Sequence, residues 1–187
     1  MFSKDHILHK KRLFPKDSCK RAIDFFEKNP ERHRDSGFNH VKKFTELGIF
    51  SRPSEIVFNL ISPLLKEVQI EYMETYPLLK ICAKWNVNDD FKIQKYNPGE
   101  SYFTLHAENM GNHGKFEEHR RVLAWMIYLN DVYDGGYTEF PVQNKKFQPR
   151  EGDVLVWPAY FTHPHRGVMS KKDTKYIITG WFSFKKD

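Results

Sequence analysis

From about residue 91 onward the chain is a succession of short apolar runs broken by turn residues. They read "FKIQKY", "NPGES", "YFTLHAEN", "RVLAWMIYLND", a "DGG" turn, "YTEFPV", "KKFQPREGD", "VLVWPAYFTH" and "KYIITGWFSF". Strands spaced by Gly, Pro, Asn and Asp predict an all-β sandwich or jelly roll. Aromatic residues make up 16% of the chain, which favours strand over helix where the two compete.

The first half has a helical texture instead. "FPKDSCKRAIDFFEKN" offers Asp17 or Ser18 as an N-cap, then a stripe of Ala22, Ile23, Phe25 and Phe26, and stops at Asn29-Pro30. "RPSEIVFNLISPLLKEVQIEYMETY" takes Ser54 as its cap. It repeats Ile56, Leu60, Leu64 and Val68 every four residues, with Pro63 expected to kink or divide it. Both stripes read as core faces. With no repeat, low-complexity tract or linker, the 187 residues are expected to form one domain, 1–187. Its residues 1–85 are a mostly helical support region outside a β core at 91–184.

No stretch approaches the roughly 18 uninterrupted apolar residues needed to span a bilayer. The basic N-terminus has no apolar segment of the kind a signal peptide needs. Cys19 and Cys82 form no CxxC or zinc pattern and read as reduced thiols. The expectation is a cytoplasmic protein with no membrane partner. The net charge is +6, with basic residues crowded into the first 43 positions and the very end. Such a surface could attract nucleic acid or an acidic protein. However, no zinc-finger or RNP-type motif accompanies it, and a charge run of this kind is ordinarily a solvated face.

The chemistry concentrates in two short stretches. In "LHAEN", His106 and Glu108 lie two apart in an expected strand, so an imidazole and a carboxylate share one face. In "WPAYFTHPHRGVM", His163 and His165 flank Pro164 and by the same parity also share a face. Two nitrogen ligands and one carboxylate can occupy one face of an octahedral ion, the facial triad of non-haem Fe(II) oxygenases. HxE alone is a weak signal, equally a surface His beside a solvated Glu. On parity either His163 or His165 could complete the set. The final strand adds support. Period two places Tyr176, Ile178, Gly180, Phe182 and Phe184 on an apolar core face, and Lys175, Ile177, Thr179, Trp181 and Ser183 on the other. An inward lysine needs a counter-ion. Asp173 is the one acid nearby in sequence, and a bound dicarboxylate would serve. "NHGKFEEHRR", with His113, His119, Glu117 and Glu118, is polar and lies between strands. It reads as a loop over the site mouth rather than a second metal site.

In this order the residues resemble the catalytic core of the 2-oxoglutarate- and Fe(II)-dependent dioxygenases, in the prolyl 4-hydroxylase-like branch. The family's run Tyr…Pro-Gly…His-x-Asp…Tyr-Leu-Asn…Gly-Gly…Gly-Asp…His…Arg or Lys is met by Tyr96, Pro98-Gly99, His106-x-Glu108, Tyr128-Leu129-Asn130, Gly135-Gly136, Gly152-Asp153, His165 and Lys175. The resemblance implies a double-stranded β-helix, jelly-roll and cupin-like, buttressed by helices. It implies Fe(II) held by His106, Glu108 and His165. The family sets its basic residue nine or ten positions after the distal histidine, and Lys175 is ten after His165 but twelve after His163. It further implies 2-oxoglutarate held by Lys175, Tyr96, Tyr128 and Thr179, with Trp181 beside the metal. The implied reaction hydroxylates an aliphatic C–H, prolyl or other, of a peptide, protein or small molecule. It consumes O2, releases succinate and CO2, and has ascorbate as an accessory reductant.

There are departures. Glu108 replaces the family's usual aspartate, and Gly-Gly-Tyr-Thr at 135–138 replaces Gly-Gly-Glu-Thr. Tyr102 sits four rather than three residues before His106 and takes no role. The first two leave a jelly-roll protein that holds metal or ligand without turnover as one alternative. The basic surface leaves an oxygenase acting on nucleic acid as another.

Overall fold

In the computed structural model, which describes residues 5–37, 40–52, 55–109 and 116–185, ten strands form two sheets. The chain runs β1 (Leu8–Lys10), α1 (Lys16–Glu27), β2 (Arg34–Asp35), β3 (Thr45–Phe50), α2 (Ile56–Thr75) and β4 (Trp85–Tyr96). It continues as α3 (Phe116–His119), β5 (Arg121–Tyr128), β6 (Thr138–Phe140), β7 (Lys145–Phe147), β8 (Val154–Pro158), β9 (Arg166–Gly167) and β10 (Lys175–Phe184). A seven-stranded antiparallel sheet has the order β1-β8-β5-β10-β4-β3-β2, and a smaller one the order β7-β6-β9. Together they make the expected double-stranded β-helix.

Side-chain alternation divides the core in two. On β5, Trp125 and Ile127 point to the helix side of the large sheet, and Ala124, Met126 and Tyr128 point between the sheets. Covered on both faces, β5 is apolar at nearly every position. The helix-side layer joins Phe26 of α1 and Leu65 of α2 to Ile93, Trp125, Ile178 and Phe182. The inter-sheet layer holds Phe140, Leu155, Trp157 and Ile177.

The support region is less helical than expected, because it also contributes β1, β2 and β3 to the large sheet, and β4 begins at Trp85. Helix α1 starts directly after Pro15, so Asp17 and Ser18 lie inside its first turn and neither caps it. Ser54 lies outside the described residues. The buried stripe of α2 is Val57, Ile61, Leu65, Val68 and Tyr72 rather than Ile56, Leu60, Leu64 and Val68. Ile56 is 52% exposed. Pro63 neither ends nor divides this helix. It sits on the exposed side, where water can replace the lost backbone bond. Among the described residues no helix is long and apolar enough to cross a membrane.

The N-terminal segment is fastened at the turn before β8. Asp153 accepts from the Arg12 backbone N–H at 2.9 Å and pairs with His9 Nε2 at 2.7 Å, while the Phe14 N–H donates to the Gly152 carbonyl. In the middle of β10, Gly180 leaves room for the Trp125 ring and the Phe91 side chain packed over it. A Cβ there would stand 2.6 Å from Trp125 Cζ2 and 2.8 Å from Phe91 Cβ. Gly180→Ala therefore overpacks a dense core and is expected to lower unfolding free energy by about 1–3 kcal/mol. Chemical denaturation of the two proteins side by side measures it, and equal stability would show that those side chains move aside freely.

Candidate active site

His106 and His165 face each other across an isolated antiparallel bridge. The His106 N–H donates to the His165 carbonyl at 3.0 Å, and the His165 N–H returns the bond at 2.8 Å. The stretch around His106 is not the expected strand. Between Ser101 and Asn109 it is irregular chain pinned by this bridge and by one between Tyr102 and Lys42. Glu108 sits in the following turn.

The rings have fixed tautomers. His106 Nδ1 lies 2.9 Å from the Thr104 carbonyl and His165 Nδ1 lies 3.1 Å from the His163 carbonyl. A carbonyl only accepts, so each Nδ1 carries the proton and each Nε2 presents a lone pair. Both Nε2 atoms face Glu108 Oε1, at 3.7 Å from His106 and 3.4 Å from His165. Burial alone would raise the Glu108 carboxyl, but without a metal the hydrogen bonds and positive charge that His106 and His165 offer in their protonated form outweigh that and hold it well below the usual carboxylate range. One ligand atom from each residue falls within 4.8 Å of the others, and among the described residues this is the one such group. Two imidazole lone pairs and a carboxylate turned toward one point form a donor set suited to a divalent cation.

His163 is turned elsewhere. Its Nε2–H donates to the Asp5 carbonyl at 2.7 Å, and its Nδ1 lies 2.9 Å from Thr162 Oγ1. Both nitrogens are occupied, Nε2 in fastening the N-terminal segment and Nδ1 on the neighbouring threonine. His113 lies outside the described residues, His119 ends the single turn of α3, and Glu118 lines the mouth of the cavity.

The three side chains line a cavity of roughly 250 Å³ between the sheets. Lys175 lies in the same cavity, 4% exposed, with its Nζ 4.6 Å above the Tyr96 ring and donating to the Gly136 carbonyl at 2.9 Å. Gly136 has φ +71°, and a Cβ there would stand 2.6 Å from Val132 Cγ1, so this approach of backbone to ammonium requires glycine. Among the described residues Lys175 has no carboxylate partner, and burial pushes its ammonium down to about 8. Trp157, also in the wall, carries an indole N–H without a hydrogen-bond partner. Unpaired acceptors at one place and unpaired donors at another suit a cation and an anion bound together.

The remaining expected residues are placed unequally. Tyr96 and Thr179 line the cavity, but their hydroxyls are engaged within the protein. Tyr96 donates to Gln94 Oε1 at 2.8 Å and Thr179 to the Trp125 carbonyl at 2.9 Å. Trp181 lines it too, its indole N–H on Glu108 Oε2 at 2.8 Å. Tyr128 is outside the cavity wall. Its hydroxyl is hydrogen-bonded to Thr138 Oγ1 at 2.6 Å, and Thr138 stands in the wall in its place.

Residues 91–183 match the model of the 2OG-Fe(II) oxygenase superfamily. The chain belongs to this superfamily. A mimivirus protein (Acanthamoeba polyphaga mimivirus) named "Putative prolyl 4-hydroxylase" is 32% identical over 124 residues, 57% of this chain and 51% of that protein. This chain's match thus spans about half the length of that relative. The fold is also that of the viral collagen prolyl hydroxylase of Paramecium Bursaria Chlorella virus-1. That likeness has a TM-score of 0.72 at 18% identity over 97% of this chain and 98% of the other. A Trichoplax adhaerens prolyl hydroxylase, solved with a peptide fragment of the hypoxia inducible factor oxygen degradation domain, aligns with a TM-score of 0.67. It shows 14% identity, covering 96% of this chain and 84% of that one.

Several residues around this site belong to no sequence motif. Tyr102, given no role above, stacks on His106 with ring centroids 3.8 Å apart. Glu46 on β3 pairs with Lys92 at 2.9 Å and, through Gln94, builds a polar wall beside Tyr96. Gln94 sits opposite Glu46 and lies on the Tyr96 face of β4 by period two, so β4 parity alone could have found it.

The Lys175 ammonium makes ligand-free stability depend on pH. Its folded value, about 8, is below the unfolded 10.5, so between the two the unfolded chain binds more protons and stability rises with pH. Below pH 8 the desolvation cost is fully present, on the order of 3 kcal/mol. The difference in unfolding free energy between Lys175→Met and the parent chain should therefore shrink from pH 8 to 10.5. Denaturant titrations across that range test it, and a pH-independent difference would place the ammonium in water.

Proposed function

We propose that this chain is a 2-oxoglutarate- and Fe(II)-dependent dioxygenase that hydroxylates an aliphatic C–H, prolyl or other, in a peptide or protein, with release of succinate and CO2. The observation that carries the reading is a single cavity lined both by two Nε2 lone pairs with a carboxylate and by a buried lysine that has no carboxylate partner among the described residues. His106, Glu108 and His165 would hold Fe(II), which when bound supplies O2 activation and the redox coupling of cosubstrate decarboxylation to C–H hydroxylation. Lys175 would take the far carboxylate of 2-oxoglutarate, a charge-assisted bond that orients as well as binds. Trp157 offers a further donor, whereas Tyr96 and Thr179 give their hydroxyl protons to Gln94 and the Trp125 carbonyl and would have to turn to donate to the carboxylate. Burial raises the Tyr96 hydroxyl, so it stays protonated and neutral beside the ammonium. Trp181, Met126 and Trp157 close the cavity and limit water around the reacting atoms. The mouth, with Lys42, Lys92, Arg121, Glu46 and Glu118, is where substrate would enter. A peptide substrate draws support from the fold shared with the Trichoplax enzyme and its peptide.

Anaerobic titration with Fe(II) and 2-oxoglutarate tests this through the metal-to-ligand charge-transfer band. The band should form in the parent chain and in His163→Ala, and be lost with the metal in His165→Ala. Removing one partner of a buried charged pair typically costs about 3–5 kcal/mol. Partial hydration trims that, so Lys175→Met should need about a hundredfold more 2-oxoglutarate with metal binding nearly unchanged. Loaded metal without a band would overturn the cosubstrate assignment. A band without succinate or hydroxylated peptide would leave a binding protein.

A further inference from the structure

Glu108 is held from three directions. The Trp181 indole N–H donates to Oε2 at 2.8 Å. The Arg121 guanidinium carbon lies over that indole, 3.7 Å from the ring centroid. Arg121 Nη1 also donates to the Glu108 main-chain carbonyl at 2.9 Å and stands 3.7 Å from Oε2. Both residues sit on paired strands, where Trp181 of β10 is opposite Ala124 and Arg121 of β5 is opposite Ser183. Their positions are therefore set by the large sheet, whereas Glu108 belongs to a turn and depends on them. With Oε2 taken by the indole, Oε1 is the oxygen that faces His106 and His165.

We propose that Trp181 and Arg121 are positioning residues matched to the length of glutamate, so that the indole holds Oε2 and Oε1 alone ligates the metal. This rests on the metal centre proposed above and concerns how its carboxylate is aimed. Aspartate at this position would retract the carboxylate by about 1.5 Å, one carbon–carbon bond. A 2.8 Å hydrogen bond lengthened by that much is no longer one. Aspartate could then satisfy the indole or the metal, but not both, so the departure from the family's usual residue and the Trp181–Arg121 brace belong together. Outer partners of metal ligands typically contribute about 10–100-fold to metal affinity, the scale of effect expected here.

The test is a double-mutant cycle on Co(II) affinity, read by calorimetry and visible absorption, with no turnover involved. Trp181→Phe, which keeps a ring under Arg121 but removes the N–H, should weaken Co(II) about 10–100-fold. Glu108→Asp should weaken it too, and adding Trp181→Phe to Glu108→Asp should cost less than about twofold more, because an aspartate that reaches the metal no longer reaches the indole. Unchanged affinity in Trp181→Phe, or losses that simply multiply, would overturn the brace while leaving the metal centre intact. Failure of the parent chain to bind Co(II) would overturn the metal centre and the brace with it. If Trp181→Phe does not fold, Arg121→Met carries the same decision: weaker Co(II) binding supports the brace and unchanged binding overturns it.

Discussion

Alternation along β10 is the constraint on which both the core and the site depend. Ile178, Gly180 and Phe182 face the helix-side layer, while Lys175, Ile177, Thr179 and Trp181 face the cavity. The strand is paired on both sides, Ile178 opposite Ile93 of β4 and Ile127 of β5. A slip of one residue would drive Lys175 into the apolar helix-side layer and turn Ile178 toward the cavity. Gly180 tightens the constraint, since the Trp125 ring and the Phe91 Cβ occupy the space any other residue at that point would need. Packing on one face therefore holds the register of chemistry on the other.

The site in turn is poorly compensated by the protein itself. A desolvated ammonium lies against a ring and one backbone carbonyl, and a carboxylate lies against two imidazoles whose lone pairs point at it. A metal ion and a dianion would neutralise these together, so their binding should also stabilise the fold. The protein tolerates the imbalance because the surrounding framework is settled without it. The bridge between His106 and His165 is made by backbone groups, and both Nδ1 protons rest on backbone carbonyls.

Much of this was legible from residue order. The conjunction of His106, Glu108, His165 and Lys175, together with the parity of the last strand, located the cavity. The histidine pair was ambiguous in sequence because parity treats His163 and His165 alike. What separates them is a bond from His163 to the carbonyl of Asp5, a contact 158 residues distant along the chain. The phase of α2 was ambiguous for a different reason. Apolar residues fill two neighbouring faces, so Ile56, Leu60 and Leu64 are as periodic as Val57, Ile61 and Leu65, and only the packing partner chooses. Tyr128 fits the family order, yet Thr138 stands between its hydroxyl and the cavity. Arg121 gave no signal, because a basic residue opening a strand is ordinary until its neighbour across the sheet is known.

The first half of the chain shows how a fold can extend past its recognisable motif. The family match begins at residue 91, but the large sheet continues through β1, β2 and β3, and α1 and α2 cover its outer face. Strand pairing there is carried by backbone groups and makes little demand on side-chain identity, so these short strands leave no motif. Specificity comes from a few side-chain anchors instead. Asp153 takes His9 and the Arg12 N–H, Lys10 meets Glu71 of α2 at 2.8 Å, and Tyr72 donates to the His6 carbonyl at 2.7 Å. All of these reach the segment between residues 5 and 12 from distant parts of the chain, and His163 reaches it from beside His165. The N-terminal segment is thus coupled to the strand-to-strand connection that carries His165. A change there can reach the site through backbone position alone, without touching a ligand.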